Sequence, residues 1–120
     1  MTALKTVRGT IALLCFTSLL AGKVAADDEY AKRFPAQWLE NNGHIRLDTI
    51  CYNYPRQSHM YPLCRLQAVN RLDERCERYR TRLANTDDPA LQEHFSGLSD
   101  KYCTASEDYR KLMTRTGFLQ

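Results

Sequence analysis

The most regular pattern of apolar positions lies in the last third of the chain. Leu91, Phe95, Leu98, Tyr102, Ala105, Tyr109 and Leu112 step by four and three in strict alternation. That spacing keeps one face of a helix apolar. Asp88 ahead of it is a good N-cap, Pro89 a good first helical residue, and Gly117 a good stop. The pattern predicts a helix from Pro89 to about Met113. A second amphipathic helix is predicted from Pro62 to Ala84. There Leu66, Val69, Leu72, Cys76, Tyr79 and Leu83 recur at three- and four-residue steps, with Arg and Glu on the other faces. It spans about 23 residues, or about 34 Å. The short Asn85–Asp88 connection makes the two helices antiparallel neighbours.

Upstream the pattern weakens. Pro35 suits a first helical turn, with Trp38 and Leu39 as its buried residues, and Asn41-Asn42-Gly43 ends that piece. Residues His44–Tyr54 fit two periods. Ile45, Leu47, Thr49 and Cys51 alternate as in a strand, whereas Leu47, Ile50, Cys51 and Tyr54 fit one helical face. With no second strand-like segment to pair with it, the segment is predicted to be helical. Asn53–Tyr61 reads as a loop, marked by Pro55. The expected fold class is all-α: a small disulfide-stapled bundle of three to four helices built on a long antiparallel helical hairpin. Residues 27–120 form one domain, and 27–34 read as a loosely held or disordered start.

The first 26 residues have the parts of a secretory signal. Lys5 and Arg8 form a positive start, and Ile11–Ala21 is apolar apart from Thr17 and Ser18. That run is about half the roughly 20 residues needed to span a bilayer. Val24-Ala25-Ala26 offers small residues for cleavage after Ala26. The expected product is exported, to the periplasm or outside the cell, with no stable membrane anchor.

Cleavage alters the charge. The chain has 17 Lys+Arg against 14 Asp+Glu, a formal +3. Lys5, Arg8 and Lys23 all lie in the signal, so residues 27–120 are formally neutral. The sequence pI near 8.6 is therefore no argument for nucleic acid as a partner. The cysteine count changes too. Cys15 leaves with the signal, and Cys51, Cys64, Cys76 and Cys103 remain. An even count in a short exported chain reads as two disulfides. No C-x-x-C pair is present, so no metal site is expected.

Helix geometry removes one of the three pairings. Cys64 and Cys76 lie about 18 Å apart along one predicted helix, against the roughly 4.4–6.8 Å between Cα atoms that a disulfide allows. Of the two that remain, Cys51–Cys64 with Cys76–Cys103 is favoured, because Cys51 and Cys64 flank one loop. Hairpin register does not decide the matter. Counted from the centre of the turn, Cys103 is about six residues too far for Cys76 and about six too near for Cys64.

The loop between Cys51 and Cys64 holds three of the seven tyrosines. Its candidate contact residues are Tyr52, Tyr54, Arg56, His59, Met60 and Tyr61, since Tyr and Arg anchor protein interfaces. Arginine outnumbers lysine eleven to three in residues 27–120, and Arg65, Arg71, Arg75, Arg78, Arg80 and Arg82 fall on one helix. Asp73, Glu74 and Glu77 are interleaved with them, and Glu74 and Arg78 are spaced for an ion pair. A solvated, salt-laced face is therefore expected. His44, His59 and His94 show no ligand spacing, and Glu107 and Asp108 are adjacent carboxylates that point apart. Neither G-x-S-x-G, H-E-x-x-H nor a phosphate loop occurs. These features favour a non-enzymatic protein without a cofactor that binds another macromolecule, most simply a protein. It would serve as an inhibitor, an immunity-type antidote, a chaperone-like factor or an accessory factor. The alternatives are a ligand carrier or enzyme with a site inside the bundle, and self-assembly through the last helix.

Overall fold

The computed structural model describes residues 35–119. The expected signal peptide and the 27–34 segment lie outside these residues. Two long helices dominate: α1, Met60–Ala84, and α2, Pro89–Arg115. Ahead of them come two short strands, β1 (Glu40–Asn41) and β2 (His44–Ile45), and a 3₁₀ turn over Leu47–Thr49. Two long packed helices with two disulfides, one of them between the helices, make this a small helical protein. Three to four helices were expected, and the described residues contain two.

The difference lies in residues 35–54. His44–Tyr54 is not a helix. Its strand partner is Glu40–Asn41, paired in register Glu40↔Ile45 and Asn41↔His44. Asn42 (φ 50°) and Gly43 (φ 77°) form the two-residue turn between them. Such hairpin turns need left-handed backbone at both central residues, which Asn-Gly supplies at low cost. The ladder continues through Arg46 N–H to Leu39 O at 2.9 Å. No helix starts at Pro35 either: residues 35–39 are irregular, Trp38 is half-buried and Leu39 is exposed.

Thr49 locks this cap together. Its buried Oγ1 accepts from Leu39 N–H at 2.9 Å and donates to Arg46 O at 2.7 Å. Cys51 follows with φ 69°, a left-handed conformation that costs a non-glycine residue energy. Its N–H donates to Gln37 O at 2.7 Å, and its sulfur is bonded to Cys64.

Both helix ends of α2 follow their sequence signals. Asp88 caps the start, accepting from Ala90 N–H at 2.9 Å and Leu91 N–H at 3.1 Å. At the other end Gly117 (φ 80°) reverses the chain. Phe118 N–H bonds Met113 O at 2.9 Å and Gly117 N–H bonds Thr114 O at 3.2 Å, a Schellman closure.

The core lies between α1 and α2 and under the cap. Ile50, Cys51, Cys64, Ala68, Leu72, Tyr109 and Met113 are its most buried members. On α2 the buried stripe is Ser99, Tyr102, Ala105, Ser106, Tyr109 and Met113, rotated from the expected seam toward Ser106 and Met113. Leu91 at the seam's start and Leu66 on α1 are exposed.

The hairpin is slipped. Pro89–His94, the first six residues of α2, are all exposed and overhang the end of α1. That overhang supplies the six residues by which Cys103 overshoots Cys76 when counted from the turn. Cys76 and Cys103 are bonded, with Cα atoms 4.6 Å apart. In Cys51–Cys64 they are 6.0 Å apart. No described helix is long and apolar enough to cross a membrane.

Candidate binding surface

The disulfide-closed loop is held by its own backbone. Tyr52 N–H bonds Thr49 O at 2.9 Å, Tyr54 N–H bonds Cys51 O at 3.1 Å, and Ser58 N–H bonds Pro55 O at 3.0 Å. The Ser58 hydroxyl also donates to Pro55 O at 2.7 Å. Successive turns therefore fix the chain from Thr49 to Ser58, and Cys64 anchors the far end. The six candidate residues divide between two sides. Tyr52 (53% exposed), Arg56 and His59 face solvent. Met60 is half-buried in the first turn of α1. Tyr54 and Tyr61 pack against the core. The loop thus presents Tyr52, Arg56 and His59 from a frame that Tyr54 and Tyr61 help to seat.

Beside this loop stands an arrangement that periodicity alone did not reveal. The Arg65 guanidinium sits over Tyr61 (5.6 Å to the ring centre), Tyr109 (6.0 Å) and Phe118 (5.2 Å). The fully buried Tyr109 donates its hydroxyl to Arg65 O at 2.9 Å. Burial pushes the Tyr109 phenol above its ordinary pKa, while the nearby Arg65 pulls the other way. Farther along, Arg75 lies over Trp38 and Tyr102 and donates to the Tyr102 hydroxyl at 2.8 Å. Arg82 lies over Tyr79 and Phe95. Tyr79 stacks on both Phe95 and Tyr102. Three of the six α1 arginines expected on a salt-laced face, Arg65, Arg75 and Arg82, thus lie over rings instead. Glu74 and Arg78 form no ion pair; the α1 acids that pair are Glu77 with Arg80, and Asp73 with Arg110 across the hairpin. Asp73 also accepts from the buried Ser106 hydroxyl. Tyr61–Arg65 and Tyr79–Arg82, spaced by four and three, were the sequence signal for these ring contacts.

An open groove runs between Leu47–Asp48 and the last turns of α2, with Leu47 and Leu112 among its lining residues. Asp48, Glu107, Asp108, Arg110, Lys111 and Arg115 also line it, and of these Glu107 and Lys111 are paired with each other at 2.7 Å. Among the described residues, no group of three or more His, Cys, Asp or Glu is placed to hold a metal ion. The two disulfides suit an oxidising, extracellular-type environment. No protein-family model, curated protein or solved structure matches the chain.

Proposed function

We propose that the protein is exported after cleavage following Ala26 and acts, without catalysis or cofactor, by binding another protein through the loop between Cys51 and Cys64. The supporting observation is the loop's construction. Its backbone is pinned at both ends, and Tyr52, Arg56 and His59 are left facing solvent. A site ordered before binding loses less conformational freedom when the partner arrives, so more of the contact energy appears as affinity. Tyr and Arg are also the side chains most often found as anchors of such contacts.

Two anchors of this kind, removed together, weaken an interface by more than about 2 kcal/mol, or about 30-fold. The test is capture from an extract of the exporting cell's periplasm or medium, comparing the wild type with Tyr52→Ala/Arg56→Ala. Partners bound through the loop should be lost while the helical circular dichroism stays unchanged. Retention of every captured protein by the double variant would overturn the proposal.

A further inference from the structure

Among the α1 arginines, Arg65 alone lies over three rings, and these come from three parts of the fold. Tyr61 belongs to the first turn of α1, Tyr109 to the buried stripe of α2, and Phe118 to the closure that follows α2. Each ring is itself held. Tyr61 packs against the core, Tyr109 is fully buried, and the Phe118 amide is bonded to Met113 O. The half-buried guanidinium is therefore confined.

Its hydrogen-bonding capacity is largely unspent. Arg65 Nε donates to the Tyr109 hydroxyl at 3.5 Å, the long limit of such a bond. Arg75, by contrast, reaches the Tyr102 hydroxyl at 2.8 Å, and Arg80 has Glu77 at 3.1 Å. Burial works against the Arg65 charge, the Tyr109 and Tyr61 hydroxyls favour it, and no carboxylate is among the groups that act on it. Even with both tyrosines served, most of the five N–H donors of the fork remain. The neighbouring acids are engaged or line another surface. Residues 49–72 and 109–119 contain none. Asp73 is taken by Ser106 and Arg110, while Asp48, Glu107 and Asp108 line the groove beside Leu47. A cation partly withdrawn from water ordinarily has a counter-charge. Here the rings supply part of the compensation, and no described residue supplies the anion.

We propose that Arg65 receives one oxyanion, a carboxylate or a phosphate, beside Tyr61 and Phe118. The site goes beyond the role proposed for the loop, since it uses none of Tyr52, Arg56 and His59. Its ligand comes from one of two sources, an acidic side chain of a partner protein or free inorganic phosphate. The planar fork matches either group with paired hydrogen bonds. Confinement by the rings is what lets a single arginine suffice: little side-chain freedom is lost on binding, and partial removal from water strengthens each bond.

The probes are inorganic phosphate and N-acetyl-glutamate amide, titrated separately into the oxidised, ¹⁵N-labelled exported chain, with ionic strength held constant by chloride. The readout is the set of arginine Nε–Hε signals. Arg65 should move saturably, with a midpoint at roughly millimolar probe, while the exposed Arg78 and Arg80 stay still. Saturation by the amide assigns a partner's side chain as the source, and saturation by phosphate alone assigns free phosphate. Arg65→Lys keeps the charge, loses the fork and should weaken binding at least about fivefold. Phe118→Leu keeps Arg65, removes one partly exposed ring and should weaken it about threefold, with the helical circular dichroism unchanged. No saturable movement of Arg65 with either probe, equal movement of Arg78, or undiminished binding by the variants would overturn the proposal. Tyr52→Ala/Arg56→Ala should leave the titration unchanged, so a failed anion site and a failed binding loop are seen separately.

Discussion

Removing the Cys51–Cys64 bond should do more than lower stability. In the chain-entropy description a link over 13 residues is worth about 2.9 kcal/mol at 25 °C, and one over 27 residues about 3.5 kcal/mol. By loop length alone, Cys51→Ala/Cys64→Ala and Cys76→Ala/Cys103→Ala should differ by only about 0.6 kcal/mol. The structure separates them more sharply. Cys51 is fully buried and stands at φ 69°, where an L-residue is disfavoured by about 1–2 kcal/mol. Once the sulfur link is gone, only the hydrogen bonds from Cys51 N–H to Gln37 O and from Tyr54 N–H to Cys51 O oppose that strain, each contributing about 1 kcal/mol, so the two terms nearly cancel. The loop should therefore open locally while the hairpin stays folded. Urea unfolding followed by circular dichroism gives the global loss, about 3 kcal/mol for either variant. Amide hydrogen exchange gives the local one. Tyr52, Tyr54 and Ser58 amides should lose protection in Cys51→Ala/Cys64→Ala and keep it in Cys76→Ala/Cys103→Ala. The reasoning fails if those three amides behave alike in both variants, or if the loop variant costs less than about 1 kcal/mol.

Three further outcomes are expected. Asp88→Ala removes the acceptor for two α2 amides and should cost about 1 kcal/mol in urea unfolding. Gly117→Ala should cost about the same, from backbone alone, because a Cβ there meets nothing within 4 Å. Tyr109→Phe should cost about 1 kcal/mol near neutrality, and it should also change the pH profile. Burial raises the Tyr109 pKa in the folded state, so the fold favours the protonated phenol. That contribution is complete below the unfolded value of about 10 and is lost as pH rises through the higher folded value. The wild type should therefore lose more stability than Tyr109→Phe between about pH 8 and pH 11. Parallel decline of the two would contradict the buried phenol.

The helical hairpin was legible because its signals are local and repeated. Leu72, Tyr102, Ala105 and Tyr109 sit where their three- and four-residue spacing puts them, and Asp88 caps where its type suggests. The cap was not legible, because a strand of two residues has no periodicity to read. Only the Asn42-Gly43 turn announced it, and that turn also reads as a helix stop. The six-residue slip of the hairpin depends on tertiary packing, since nothing in Pro89–His94 says that this part of the helix faces no partner. Around the loop, residue type identified the tyrosines, but only three-dimensional packing separates the exposed Tyr52 from Tyr54 and Tyr61. Arg65 and Arg75 were read as solvated charges because sequence spacing compares neighbours on one helix. Their rings at Tyr109, Phe118, Trp38 and Tyr102 come from elsewhere in the chain.

The hairpin turn has a practical consequence for handling the molecule. Asn53 reaches the carbonyl of Pro35 at 3.4 Å, and Phe118 lies over Arg65. A fusion partner joined at either Pro35 or Leu119 would thus crowd the loop and obstruct whatever approaches it. Asn85–Asp88 stands at the other extremity, about 30 Å from Cys64 along α1. A dye, a surface linker or an inserted reporter at Thr86 would hold the molecule by its acidic tip and leave the loop pointing outward. Immobilised that way round, a sensor should read the free face, whereas attachment through the 35 or 119 side should mask it.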